Sequence, residues 1–196
     1  RPAWSSGFII SKPPGGPPLF WHQDWWGWES PHSYTPAPQQ FFLMYYLVDT
    51  SRRNGCLRLI PGSHLKRHAL HDDNRTAHER DEVSSASNLD LPSFQHAEGE
   101  IDVPVKAGDV VIGDSRLLHS AHANQTDQWR TVLTIWYWPA YDSLPEDVQK
   151  LIVKHYMDNS DWVSWIEKTR SITQPLIPTY EGETGAATWN NSCALT

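Results

Sequence analysis

The sequence predicts a mainly β chain, a sandwich or jelly roll with one or two helices near its C-terminal end. Three observations carry that expectation. Short runs rich in β-branched and aromatic residues recur with turn signals between them. One of these runs, with Ile101, Val103 and Val105, alternates apolar and polar residues, as a half-buried strand does. The clear helix-start pattern falls late, at residues 143–146. A chain of 196 residues suffices for one domain with a substantial core.

The elements follow in order. Phe8–Ser11 is a short apolar strand. Lys12-Pro13-Pro14-Gly15-Gly16-Pro17-Pro18 then excludes helix and central strand alike. Leu19–Asp24 reads as the next strand, and residues 29–40 as a polar, proline-rich loop. Gln40–Val48 has the length and content of a buried strand. Asp49–Gly55 is a turn, and Cys56–Ile60 is a strand closed by Pro61-Gly62-Ser63-His64. Residues 66–99 are polar and aperiodic, which suits a loop or lid insertion within the domain. Ile101, Val103 and Val105 alternate with polar neighbours, and Lys106-Ala107-Gly108-Asp109 turns the chain. Val110–Ile112, Arg116–Ala121 and Thr131–Trp138 complete the strand series. Ser143 and Glu146 form a capping-box pattern with Pro145 inside the first turn. Leu144, Val148, Leu151, Ile152 and Tyr156 supply that helix with an apolar face. A second short helix is expected around Trp162–Lys168, and residues 171–196 read as irregular. Residues 1–196 are taken as one domain. Because the chain opens on Arg1 in a strand-like segment, N-terminal sequence is expected to precede it.

Composition removes some functions. The formal charge is −7 and no basic stripe is present, which argues against a nucleic-acid partner. No apolar run reaches the length of a membrane span, and no signal peptide is visible, so no membrane partner is expected. Two cysteines, Cys56 and Cys193, are too few for a disulfide framework, and the default reading is cytoplasmic. Oligomeric state is left open. Eleven tryptophans are unusual, and the Trp25-Trp26-Gly27-Trp28 run suits either a pocket wall or core packing.

His22-Gln23-Asp24 holds the main chemical signal. On an extended strand residues i and i+2 project to one face, so His22 and Asp24 can hold one metal ion while Gln23 points elsewhere. His119, on a later strand, supplies a third ligand at long range. Two histidines and one carboxylate make the facial set of non-haem Fe(II) sites, which leaves positions open for cosubstrate and oxygen. His122 competes with His119 for the third place, and His64 reads as a loop residue. Arg130 opens an apolar strand and offers a planar, two-pronged partner to a buried carboxylate. A surface pair with Asp127 is its plainer alternative.

Around these residues lie Asn54-Gly55-Cys56-Leu57-Arg58-Leu59-Ile60-Pro61-Gly62-Ser63-His64, then Gly108-Asp109-Val110-Val111-Ile112, then Asn124-Gln125-Thr126. In this texture and order the chain resembles the phytanoyl-CoA dioxygenase family of Fe(II)/2-oxoglutarate oxygenases, from about Phe8 to Tyr137. The resemblance implies a double-stranded β-helix, the cupin-like jelly roll. It implies Fe(II) on His22, Asp24 and His119, with 2-oxoglutarate and O2 as cosubstrates. Arg130 would pair with the far carboxylate of 2-oxoglutarate. Lys12 stands roughly where some relatives set a lysine against the cosubstrate, and Met44 where many set a tryptophan. Gln23 is sometimes counted with the ligands. Relatives often carry a small hydroxyl residue two places after the last histidine; here that place is Ala121, with Ser120 before it, and Thr126 is the substitute considered. The implied reaction is hydroxylation of a small molecule with release of succinate and CO2. Halogenases of this class lack the carboxylate, so Asp24 favours hydroxylation. The rival reading is a non-enzymatic jelly-roll module that binds a ligand or carbohydrate on its tryptophans.

Overall fold

The computed structural model of the chain describes residues 1–73, 80–158, 170–183 and 192–196. Within them, β1 (Ala3–Lys12), β8 (Arg130–Trp138), β3 (Phe41–Tyr46) and β6 (Val110–Asp114) form one four-stranded antiparallel sheet in that spatial order. A second sheet contains β2 (Leu19–His22), β7 (His119–Ala121), β4 (Leu57–Leu59) and β5 (Ile101–Val103). Successive strands therefore switch between sheets along much of the chain, which makes a jelly roll. Phe42, Met44, Tyr46 and Val132 of the first sheet pack against Leu57 and Leu59 of the second, closing the core between them. Side-chain alternation on β3 and β8 sets which residues reach that interior: Phe42, Met44 and Tyr46 on one, and Arg130, Val132, Thr134 and Trp138 on the other, are buried.

Several strand limits differ from the sequence reading. β1 extends back to Ala3 because it pairs with β8 along its whole length, which overrides the weak strand propensity of Ser5, Ser6 and Gly7. β2 stops at His22, short of Asp24. β7 begins only at His119, since Arg116 is engaged elsewhere: it is buried, ion-paired to Asp114, and donates to the carbonyls of Ser33 and Thr35. The late helix covers Glu146–Asp158. Its capping box does not form. Ser143 instead closes a 3-10 turn over Tyr141–Ser143, and Gln149 N–H donates to the Pro145 carbonyl. Val148 and Ile152 pack as expected, against Trp138, Tyr141, Trp25 and Trp28. The Tyr156 side chain and the helix expected around Trp162–Lys168 lie outside the described residues.

The 66–99 segment contains short helices at Leu70–Asp73 and Asp81–Ser84 and a 3-10 turn at Pro92–Phe94. Leu70 and Ala97 pack with Trp21, Ile60 and Leu118, while Val83 and Phe94 pack with Phe20. Arg58 anchors this covering. It is 4% exposed and lies over the Trp21 ring, 4.6 Å from its centroid. Its Nε donates to Ser120 Oγ at 3.0 Å, and its terminal nitrogens reach the Phe94 carbonyl at 2.9 Å and Glu100 Oε2 at 3.2 Å. Removing the cation would leave the buried Glu100 side chain with only the Ala97 N–H and His96 as partners. Arg58→Ala is therefore expected to lower the unfolding free energy by about 3–5 kcal/mol, read as a shifted urea midpoint. A loss below about 1 kcal/mol, the scale of an exposed pair, would show that Arg58 does not hold the segment down.

Candidate active site

The antiparallel pairing of β2 with β7 sets His22 opposite His119 in register, and their ring centroids lie 4.2 Å apart. His22 Nδ1 donates to the Phe20 carbonyl at 2.9 Å, and His119 Nδ1 donates to the Leu117 carbonyl at 3.0 Å. A carbonyl oxygen can only accept, so both Nδ1 atoms carry protons and both Nε2 lone pairs face inward. This is the arrangement that orients histidine ligands toward a metal ion.

Asp24 reaches the same point from beyond the end of β2. Its backbone N–H donates to the Ser115 carbonyl at 2.8 Å, and that of Trp25 donates to the same oxygen at 3.0 Å. This long-range clamp positions the carboxylate, in place of the continuous strand inferred from the sequence. Asp24 Oδ1 lies 3.6 Å from His22 Nε2, and Oδ2 lies 3.6 Å from His119 Nε2. One potential ligand atom from each of the three residues falls within 4.8 Å of the others. Gln23, between them, is 5% exposed.

Arg130 and Lys12 sit opposite one another where β1 pairs with β8. Arg130 is 5% exposed, and its Nε has no hydrogen-bond partner in the structure. The surface pair with Asp127 is not formed. Burial lowers the pKa of the guanidinium, while Tyr46 and Cys56 act in the opposite direction. Lys12 Nζ donates to the His122 carbonyl at 2.6 Å. Its pKa falls to about 7, first through burial and then through the charges of Arg130 and Arg58. Gly55 permits this close approach. It has φ +90°, and a Cβ there would stand 2.8 Å from the His122 carbonyl oxygen and 3.2 Å from Lys12 Cδ. The result is a guanidinium beside an amine that can gain a proton, both in a desolvated setting, an arrangement suited to an anion.

Met44 lies on the inner face of β3, 8% exposed, with the Tyr46 hydroxyl donating to its Sδ at 3.5 Å. Thr126 donates its hydroxyl to Asn124 Oδ1 at 2.6 Å, within its own turn. Thr134 is a different case. On the same face of β8 as Arg130, it is fully buried and its hydroxyl has no hydrogen-bond partner in the structure. His122 belongs to another group, with Cys56 and Asp102. Its Nε2 is 2.6 Å from Asp102 Oδ1, and burial followed by the Asp102 charge pushes the Cys56 thiol up to about 11.

A cavity of about 450 Å3 opens beside Asp24, walled by Phe8, Trp26, Trp136, Ser5, Ser6 and Gln40. The Trp25–Trp28 run divides accordingly: Trp26 lines the cavity, while Trp25 and Trp28 belong to the core. Trp136 escaped the sequence reading, although strand alternation from Arg130 places it on the inner face of β8. Its Nε1 donates to Asp24 Oδ2 at 2.7 Å.

Two interleaved sheets with a two-histidine, one-carboxylate cluster at one end define a cupin-like jelly roll with a metal-type site. Residues 1–132 match the phytanoyl-CoA dioxygenase (PhyH) family, and the chain belongs to it. It is 33% identical over 139 residues to a probable alpha-ketoglutarate-dependent hypophosphite dioxygenase of Stutzerimonas stutzeri, covering 70% of this chain and 45% of that protein. It is 32% identical to phytanoyl-CoA dioxygenase 1 of Oryza sativa subsp. japonica, covering 69% and 44%. The chain thus spans less than half the length of these curated relatives. Among solved structures, AviO1 from Streptomyces viridochromogenes Tue57 is similar, with a TM-score of 0.50 and 27% identity over 74% of this chain and 53% of that one. Among the described residues, no helix is long and apolar enough to cross a membrane.

Lys12 makes stability depend on pH. Its folded pKa, about 7, lies below the ordinary lysine value of 10.5. Between those values the unfolded chain binds more protons at this residue, so stability rises with pH across that window. Lys12→Met is expected to flatten this part of the stability–pH curve, measured by denaturant titration. An unchanged slope would show that Lys12 is charged in the folded protein.

Proposed function

We propose that this chain is the oxygenase domain of an Fe(II)/2-oxoglutarate-dependent dioxygenase that hydroxylates a small molecule and releases succinate and CO2. The observation that carries this reading is the convergence of His22 Nε2, His119 Nε2 and the Asp24 carboxylate, with both Nδ1 protons tied to backbone carbonyls. That donor set suits Fe(II), which when bound would supply the activation of dioxygen coupled to oxidative decarboxylation of 2-oxoglutarate.

The chain's own residues have separable tasks. His22, Asp24 and His119 would hold the metal ion. Arg130, with an unpartnered buried Nε, receives the far carboxylate of 2-oxoglutarate. Lys12, beside it, adds positive charge once protonated, and the Thr134 hydroxyl lies on the same strand face for a further contact. Met44 contributes an apolar wall, and Gln23 fixes the chain between the first two ligands. Thr126 acts indirectly, by holding the turn that carries Asn124 against Lys12 and Pro13. Phe8, Trp26 and Trp136 offer ring faces, and Ser5, Ser6 and Gln40 offer uncharged polar groups, which favours a neutral, ring-bearing substrate.

Anaerobic addition of Fe(II) and 2-oxoglutarate is expected to produce a visible charge-transfer band. Folded wild-type protein without that band would favour a ligand-binding module instead. Asp24→Ala is expected to abolish iron-dependent succinate formation without loss of fold, and retained turnover would remove Asp24 from the set. Arg130→Ala is expected to raise the 2-oxoglutarate requirement on the order of 10- to 100-fold, the scale of a lost charged hydrogen bond. An unaltered requirement would place the carboxylate partner elsewhere.

A further inference from the structure

Asp24 has two oxygens, and a facial site needs only one of them. A carboxylate free to rotate can chelate a metal ion through both, closing a position that a cosubstrate or oxygen requires. In this protein the indole of Trp136 meets the second oxygen: Nε1 donates to Asp24 Oδ2 at 2.7 Å. The indole is itself held in place. Trp136 pairs with Phe42 across one strand boundary and with Ser6 across the other, and its ring meets the edge of Phe8 at 5.8 Å and 74°. The same ring forms part of the cavity wall beside Asp24.

We propose that Trp136 is a positioning residue for the metal site, holding Asp24 in a one-oxygen binding mode while presenting its ring to the substrate cavity. The inference rests on the reading of His22, Asp24 and His119 as the metal-binding set. Hydrogen bonds from outside the ligand set fix ligand orientation, and their loss typically weakens metal affinity by about 10- to 100-fold. Here the donor is also a wall of the substrate cavity. A ligand that shifts the ring therefore shifts the hydrogen bond to Asp24, giving substrate occupancy a direct route to the carboxylate.

The test is anaerobic calorimetric and optical titration with Co(II), an iron surrogate whose ligand-field bands report coordination number. The wild type is compared with Trp136→Phe, which keeps an aromatic ring and loses the donor, and with Trp136→Gln, which loses the ring and keeps an N–H of similar reach. Trp136→Phe is expected to bind Co(II) about 10- to 100-fold more weakly, with altered bands, while Trp136→Gln stays within a few-fold of wild type. The metal-free unfolding midpoint of each variant separates this effect from general damage. If Trp136→Phe matches the wild type in affinity and spectrum, the proposal is overturned. It is also overturned if Trp136→Gln loses as much affinity as Trp136→Phe, because the indole would then act by filling space. Wild-type protein that binds no Co(II) would overturn the metal-site reading beneath it, an outcome distinguishable from either of these.

Discussion

The pairing of β2 with β7 is the contact on which the site depends. It sets His22 against His119 in register, and the carbonyl two residues before each histidine turns the ring inward. A slip of β2 by one residue would send the His22 imidazole to the face opposite His119, because side chains alternate with a period of two. The covering layer protects this register. Phe20 and Trp21, immediately before His22, are buried against residues of the 66–99 segment, and Arg58 ties that segment to Ser120 beside His119. The same packing that stabilises the second sheet thereby fixes the geometry of its β2–β7 pair.

Two kinds of charge are kept apart along the jelly-roll interior. The His22–Asp24–His119 cluster combines one carboxylate with two imidazoles whose inward nitrogens are lone-pair donors, a site with affinity for a cation. The Lys12–Arg130 end presents positive charge in a desolvated setting, with affinity for an anion. A ligand that is anionic at one end and chelating at the other satisfies both. Lys12 lowers the cost of the free state, since its pKa near 7 allows the ammonium to shed its proton when no anion is present. Arg130 has no such option, and its unpartnered Nε is the clearest sign that a buried donor awaits an acceptor.

Much of this was legible in the chain. Strand alternation and turn residues predict a β architecture, and the His22-Gln23-Asp24 spacing with His119 points to the residues that the fold brings together. The errors have physical causes. Asp24 shares the site because the Ser115 carbonyl clamps its backbone, a contact made across ninety-one residues that no local pattern encodes. β1 extends into Ser5, Ser6 and Gly7 because pairing with β8 outweighs their propensity. The capping box at Ser143 fails because the preceding residues close a 3-10 turn first. His122 looks like a rival ligand in sequence, yet its ring is committed to Asp102. Trp136 was the readable omission, since counting by twos from Arg130 along β8 brings it to the inner face.

His22, Asp24 and His119 form the proposed iron site. X-ray absorption on the anaerobic Fe(II)-loaded protein tests it directly, because the cluster of Cys56, Asp102 and His122 offers the competing donor set. Iron held by His22, Asp24 and His119 is expected to show a first shell of nitrogen and oxygen only, with outer-shell scattering from two imidazoles. A sulfur atom in the first shell, or scattering from fewer than two imidazoles, would contradict it.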